Sequence, residues 1–230
     1  MDRYTIPTPM PTIDNRIVLP PAPRRRLLVI GRKDCGKSIL INMIANMHAG
    51  KRYREDRVVA IPMRIEHKER RRVIPCNVEK WKGRFSGDYP VCSRDGSTNR
   101  WSEYRFKTPY YVLTLIDTPA TLPPADLEQI GQVDGVIYVH KADDNRLVEE
   151  YYGCIDGMNR VYTAITHTVE DRHPVADQLE ISGIPTDRCF SFDNECMIPS
   201  DMLSKDSEEY KKKMEEMWNK NTERFQEFIE

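Results

Sequence analysis

Gly31-Arg32-Lys33-Asp34-Cys35-Gly36-Lys37-Ser38, in one-letter form GRKDCGKS, is the stretch on which the fold turns. Its spacing is G-x-x-x-x-G-K-S, and each fixed residue type has a reason to be there if the ligand is a phosphate. The glycines let the backbone curl so that successive N–H groups point into one concavity. Lys37 supplies a cation for β- and γ-phosphate oxygens, and the Ser38 hydroxyl is a ligand for Mg²⁺. A helix that starts at the end of the loop adds the positive end of its dipole. The backbone through Gly31, Arg32, Lys33, Asp34, Cys35, Gly36, Lys37, Ser38 and Ile39 is therefore the candidate phosphate site. The setting agrees with this reading and not with an ordinary two-glycine turn. The apolar run Leu27 to Ile30 precedes it as a buried strand, and Ile39, Leu40, Met43, Ile44 and Met47 follow at helical spacing up to Gly50.

Further along, apolar runs at Tyr110–Asp117, Gly135–His140, Val161–Thr166 and Cys189–Phe192 predict four more strands. Helical patterns lie between several of them. Leu147, Val148, Tyr151, Tyr152, Ile155 and Met158 share one helical face, and PVADQLEISG is a short helix closed by Gly183. Strands alternating with helices imply an α/β fold, a P-loop NTPase domain with a mostly parallel central sheet and helices on both faces. Residues 1–23 hold six of the sixteen prolines and read as an extended arm. Residues 24–204 form the domain, with a basic insert at about 62–100. Residues 205–230 form an amphipathic C-terminal helix whose stripe is Tyr210, Met214, Met217, Trp218, Phe225, Phe228 and Ile229; packing on the domain or serving a partner are both open to it. WSEYRF, from Trp101 to Phe106, is expected to be an edge strand.

The chain has 230 residues and a formal net charge of −1, which argues against a general nucleic-acid binder. Charge is uneven along it, with twelve Lys/Arg against five Asp/Glu between Lys51 and Arg84. That basic run, with Trp81 and Phe85, suits a solvated loop first, and otherwise RNA or acidic lipid as a partner. No apolar run reaches membrane-spanning length and the N-terminus lacks a signal-type core, so no membrane contact is indicated within the chain. Six scattered cysteines fit reduced thiols in a cytoplasmic protein. A zinc site through His67, Cys76 and Cys92 has no C-x-x-C to support it. Cys35 sits at a helix start beside Lys33 and Lys37, neighbours expected to lower a thiol pKa.

LTLIDTPA, ending a strand at Asp117, supplies a carboxylate that can reach Mg²⁺ through water. In GTPases the matching box is D-x-x-G, whose glycine N–H meets the γ-phosphate. Ala120 stands there, with its N–H retained and less backbone freedom.

The run LLVIGRKDCGKSILINMIAN, with LTLIDTPA, VDGVIYVHKADDNRLVEEYY, VYTAITH and SGIPTDRCFSFDNE, resembles the immunity-associated GTPases and their kin, the chloroplast import receptors and the septins, over roughly residues 26–229. The resemblance implies a G domain that binds GTP or GDP with Mg²⁺. No clean N-K-x-D reads the guanine. HKAD, at His140 to Asp143, imitates it one strand early and is a decoy. Thr166 and His167 stand at the matching strand end, where the import receptors' Thr-His suggests an imidazole packed on the base. Asn194 is where the family's asparagine touches the base. Asp193 and Glu170 are both open as acceptors for the guanine N1–H and N2–H.

Asp117 lies 79 positions beyond Ser38, so the switch region is long. Thr98, and after it Ser97, are its candidate Mg²⁺ ligands beside Ser38 and Asp117. The family also implies self-association across the nucleotide face. The long switch region itself holds arginines that a second copy has available to donate in trans: Arg64, Arg70, Arg71, Arg72, Arg84, Arg94 and Arg100. No water-positioning glutamine follows Asp117, so slow hydrolysis is expected. A non-hydrolysing scaffold and, less favoured, an ATPase are the alternatives.

Overall fold

The computed structural model describes residues 23–77, 85–87, 100–107, 111–144, 152–168 and 173–229. Alternation of apolar side chains along β1 (Arg24–Ile30) organises the molecule. Leu27 and Val29 point into one core, Leu28 and Ile30 into another. A strand buried on both faces belongs in the middle of a parallel sheet. It is there: among the described residues the sheet has seven strands, in the order β4 (Phe85–Gly87), β5 (Ser102–Lys107), β6 (Val112–Asp117), β1, β7 (Gly135–Lys141), β8 (Val161–Thr166) and β9 (Cys189–Phe192).

β1 pairs in parallel with β6 (Val112–Asp117) and β7 (Gly135–Lys141). β7 pairs with β8 (Val161–Thr166) and β8 with β9 (Cys189–Phe192), again in parallel. β5 (Ser102–Lys107) and the short β4 (Phe85–Gly87) extend the sheet antiparallel beyond β6. On one face lie α1 (Lys37–His48), through Leu40, Ile41, Ile44 and Ala45, and Phe225 of α5 (Glu208–Ile229). On the other lie α2 (Pro124–Ile130), α3 (Tyr152–Ile155) and α4 (Val175–Ile181), through Ile130, Ile155 and Leu179. The result is an α/β fold with a mostly parallel sheet covered on both faces. Because five strands run the same way, Ile30, Asp117, Lys141, Thr166 and Phe192 all end at one rim, and ligands of open parallel sheets bind outside that rim.

Three features differ from the sequence expectations, and one, the placement of the last helix, takes the packed alternative. WSEYRF forms β5, which is not the edge; β4 lies outside it. Part of the basic insert is a separate antiparallel hairpin, β2 (Met63–His67) and β3 (Arg70–Ile74). α2 begins on Pro124 in a segment that had no predicted element. α5 is docked: Met214, Met217, Trp218 and Phe225 are buried, and the Arg57 guanidinium lies 3.9 Å from the Trp218 ring centroid. The Pro-rich arm up to residue 22, Trp81, the first half of the expected helix around 147–158, and the side chains of Phe85, Phe228 and Ile229 lie outside the described residues.

Between α1 and the hairpin runs a segment, residues 57–61, that belongs to neither sheet. Its backbone is satisfied by side-chain amides instead. Asn46 accepts from Val58 N–H at 2.9 Å and donates to its carbonyl at 2.7 Å. Asn42 accepts from Ala60 and Ile61 and donates to Ile61 O. Asn77 accepts from Val59 N–H and donates to Arg57 O. Asn42 and Asn46 are fully buried, which an amide tolerates only when both its donor and acceptor sides are used.

His48, at the end of α1, stacks on Phe106 with centroids 5.3 Å apart, and burial pushes its pKa down to about 4. The folded state therefore holds this ring neutral while the unfolded chain protonates it near 6.5. Its contribution to stability is whole above pH 6.5 and is lost as pH falls towards 4. At pH 5 the loss is about 2 kcal/mol. Melting curves at pH 7 and pH 5 check this: His48→Leu is expected to lose less stability on acidification than the parent, and an equal loss in both chains rejects it.

Candidate phosphate-binding site

The loop between β1 and α1 is shaped by what its glycines avoid. At Gly31, φ is +149°, and an added Cβ would lie 2.3 Å from the Val139 carbonyl oxygen on β7. At Gly36, φ is +101°, and a Cβ would lie 2.5 Å from Asn194 Nδ2 and 3.2 Å from Thr166 Cγ2. Asp34 is also left-handed, at φ +62°, without being glycine. Such conformations cost energy and collect at sites where the backbone must present its amides in a set way. α1 starts at Lys37 with no side chain capping it.

Lys37 is 8 % exposed, and its Nζ donates to the Gly31 carbonyl at 2.6 Å and the Arg32 carbonyl at 2.8 Å. The ammonium is thus drawn across the curl of the loop. Arg32 turns the other way, with Nε 3.6 Å from the Asp144 carboxylate. Asp117 is fully buried at the end of β6, level with Val29 of β1. The next residue, Thr118, donates its hydroxyl to Val29 O at 2.8 Å, which fixes the chain as it leaves the strand.

Cys35 corrects an expectation. Its thiol is buried, and that desolvation raises its pKa although Lys37 pulls the other way. It stays a thiol at neutral pH.

The second half of the rim lies beside the loop. His167 leaves β8 in the left-handed region, at φ +62°, with its ring exposed and Nε2 3.3 Å from Asn194 Nδ2. Partial desolvation, and then Lys141, hold its pKa below the ordinary value. Asn194 is buried and opens the 3-10 turn Asn194–Met197. Asp193 caps that turn by accepting from Glu195 N–H at 2.8 Å, and burial raises its pKa. Thr166 ends β8 just before His167. It is fully buried, and its hydroxyl lies 2.6 Å from the Cys35 carbonyl in the loop and 3.3 Å from the His140 carbonyl.

His140 of HKAD is held inside: Tyr138 Oη lies 3.1 Å from its Nδ1, and the Asp144 carbonyl 2.8 Å from its Nε2. Lys141 pairs with Asp143. The residues posed for zinc are otherwise engaged: His67 is 2.9 Å from Asp206, Cys76 donates to Ala60 O, and Cys92 lies outside the described residues.

The rim thus brings together the loop, Asp117, His167, Asp193 and Asn194. Thr98, Ser97 and Glu170 lie outside the described residues, as do Arg84 and Arg94. Among the described residues no three His, Cys, Asp or Glu side chains gather as a metal cage. Mg²⁺ needs no such cage. It takes one or two carboxylates, water and substrate phosphate oxygens, so the oxygen donors of Ser38 and Asp117 suit it.

The sequence reading missed Thr118, the Arg32–Asp144 pair and the loop contact of Thr166. A threonine at a strand end beside a glycine loop is the one signal that could have pointed to the last.

No protein-family model matches the chain, and no curated protein matches it in sequence. Among the described residues no helix is long and apolar enough to cross a membrane.

Proposed function

We propose that the chain is a P-loop protein of the G-domain type that binds guanine nucleotide with Mg²⁺ and hydrolyses GTP slowly. The observation that carries the reading is Lys37 Nζ drawn across a left-handed glycine loop at the carboxyl rim of the sheet. In this reading the amides from Gly31 to Ile39 and Ala120 N–H meet the phosphates, and Ser38 and Asp117 hold the metal. Mg²⁺ supplies charge neutralisation at the phosphates when bound. His167 covers the purine face, and Asn194 and Asp193 meet its edge.

Identification of the nucleotide that co-purifies, by mass, tests the reading directly; an adenine nucleotide would move it to the ATPase alternative. His167→Ala is expected to weaken GDP by about tenfold, the usual worth of one base stack. Competition titrations with GDP and ADP check it. Equal displacement by both, before and after the substitution, removes the guanine assignment.

One set of observations favours the scaffold as second reading. Arg70 donates to Met202 O, Arg71 pairs with Glu66, and Arg72 pairs with Asp201. Three of the arginines considered for donation to a second copy are thus engaged within their own chain, which leaves Arg64 and Arg100, both exposed, among the described residues. A monomer that retains nucleotide without turnover is the result that would select the scaffold.

A further inference from the structure

We infer that Thr166 is a positioning residue of the phosphate loop and not a base contact. This rests on the nucleotide reading above. The Thr166 side chain is fully buried beneath the loop at the end of β8. A hydroxyl has one proton to give, and the nearer acceptor is the Cys35 carbonyl at 2.6 Å, against 3.3 Å for the His140 carbonyl. Cys35 is the residue just before Gly36, where the loop reverses into α1. A peptide plane is rigid, so fixing the Cys35 carbonyl also fixes the direction of the Gly36 N–H on the same plane. A carbonyl oxygen that turned into the loop would meet the phosphates with its negative end. The hydroxyl holds it out of that position.

The Thr166 methyl does a second job. It lies 3.2 Å from where a Gly36 Cβ would stand, with Asn194 Nδ2 at 2.5 Å on the same glycine. Thr166 and Asn194 thus fill the space that a side chain at residue 36 would need, so the loop can pass this close to the base-side rim only as glycine. Loop geometry and base-side geometry are set together, through contacts between residues 131 apart in sequence. Backbone amides aimed in advance at an anion spare the cost of ordering them on binding.

The test uses the full chain, loaded with GDP and Mg²⁺, with Thr166→Val and Thr166→Ser beside the parent. Valine keeps the shape and removes the hydroxyl; serine keeps the hydroxyl. The expected result is GDP binding about tenfold weaker in Thr166→Val, the worth of one buried hydrogen bond, and near the parent in Thr166→Ser. In phosphorus NMR at saturating GDP, the β-phosphorus resonance should move in Thr166→Val and return in Thr166→Ser. Unchanged affinity and resonance in Thr166→Val overturn the inference. So does weaker binding with an unmoved β-phosphorus resonance, which marks a loss of fold stability alone. A parent chain that binds no GDP overturns the nucleotide reading, and this inference falls with it.

Discussion

Lys37→Ala is expected to lower the affinity for GDP and GTP by about a hundredfold or more while leaving the chain folded. The size follows from what is removed: a cation that in the proposed complex makes charge-assisted bonds to two phosphates, each worth roughly 1.5–3 kcal/mol. The fold should survive because the Nζ partners are two loop carbonyls, of Gly31 and Arg32, at the rim of the sheet. Water can replace the ammonium there, and no apolar core depends on it. Titration of fluorescent GDP, with circular dichroism on the same sample, decides the matter. A folded variant with parental affinity would show that this loop is not the phosphate site.

The second large effect is on the fold itself. Gly31→Ala places a methyl 2.3 Å from the Val139 carbonyl oxygen and 2.9 Å from Cys35 Sγ, at φ +149°. The cysteine can turn aside. The carbonyl cannot, because Val139 lies in β7, hydrogen-bonded between β1 and β8. The loop must therefore tear away from β7 or the sheet must shift, at a cost of roughly 3 kcal/mol or more. For a domain of this size that is a fall of about 6–12 °C in melting temperature. Gly50→Ala is the comparison: φ there is +66° and nothing lies within 4 Å, so its cost is near 1 kcal/mol. Thermal melts of the two variants separate collision from mere backbone preference. Equal melting temperatures would remove the collision argument.

What could be read in the sequence was what is local. β1, the loop and α1 are contiguous, and their apolar period and glycines stand next to one another. β6, β7, β8 and β9 are apolar because both of their faces are covered, so their runs stand out too. The hairpin did not stand out, because β3 presents Arg71, Arg72 and Val73 to solvent and carries no buried alternation. β5 reads as a strand, but whether another strand lies beyond it is a fact of pairing. α2 buries one side chain, Ile130, too few for a helical period. In the site, neighbours along the chain gave the wrong sign for Cys35, because Lys33 and Lys37 are visible in sequence and burial is not. The contact of Thr166 with the loop could not be read for the same reason: its partner, Cys35, is far away along the chain.

The segment held by Asn42, Asn46 and Asn77 has a mechanical meaning. Sheet strands are tied to their neighbours, so a displacement of one spreads across the sheet. Residues 58–61 send their N–H groups to two asparagines of α1 and to Asn77, and none to the sheet. Their linkage is to the helix whose first residue is Lys37. A rotation or slide of α1 would pull this segment along, and with it the start of β2, whose first residue is only two positions beyond Ile61. Three of those four amide hydrogens tie the segment to α1, so the start of the hairpin hangs from the same helix that begins at the glycine loop, while the fourth ties it to Asn77.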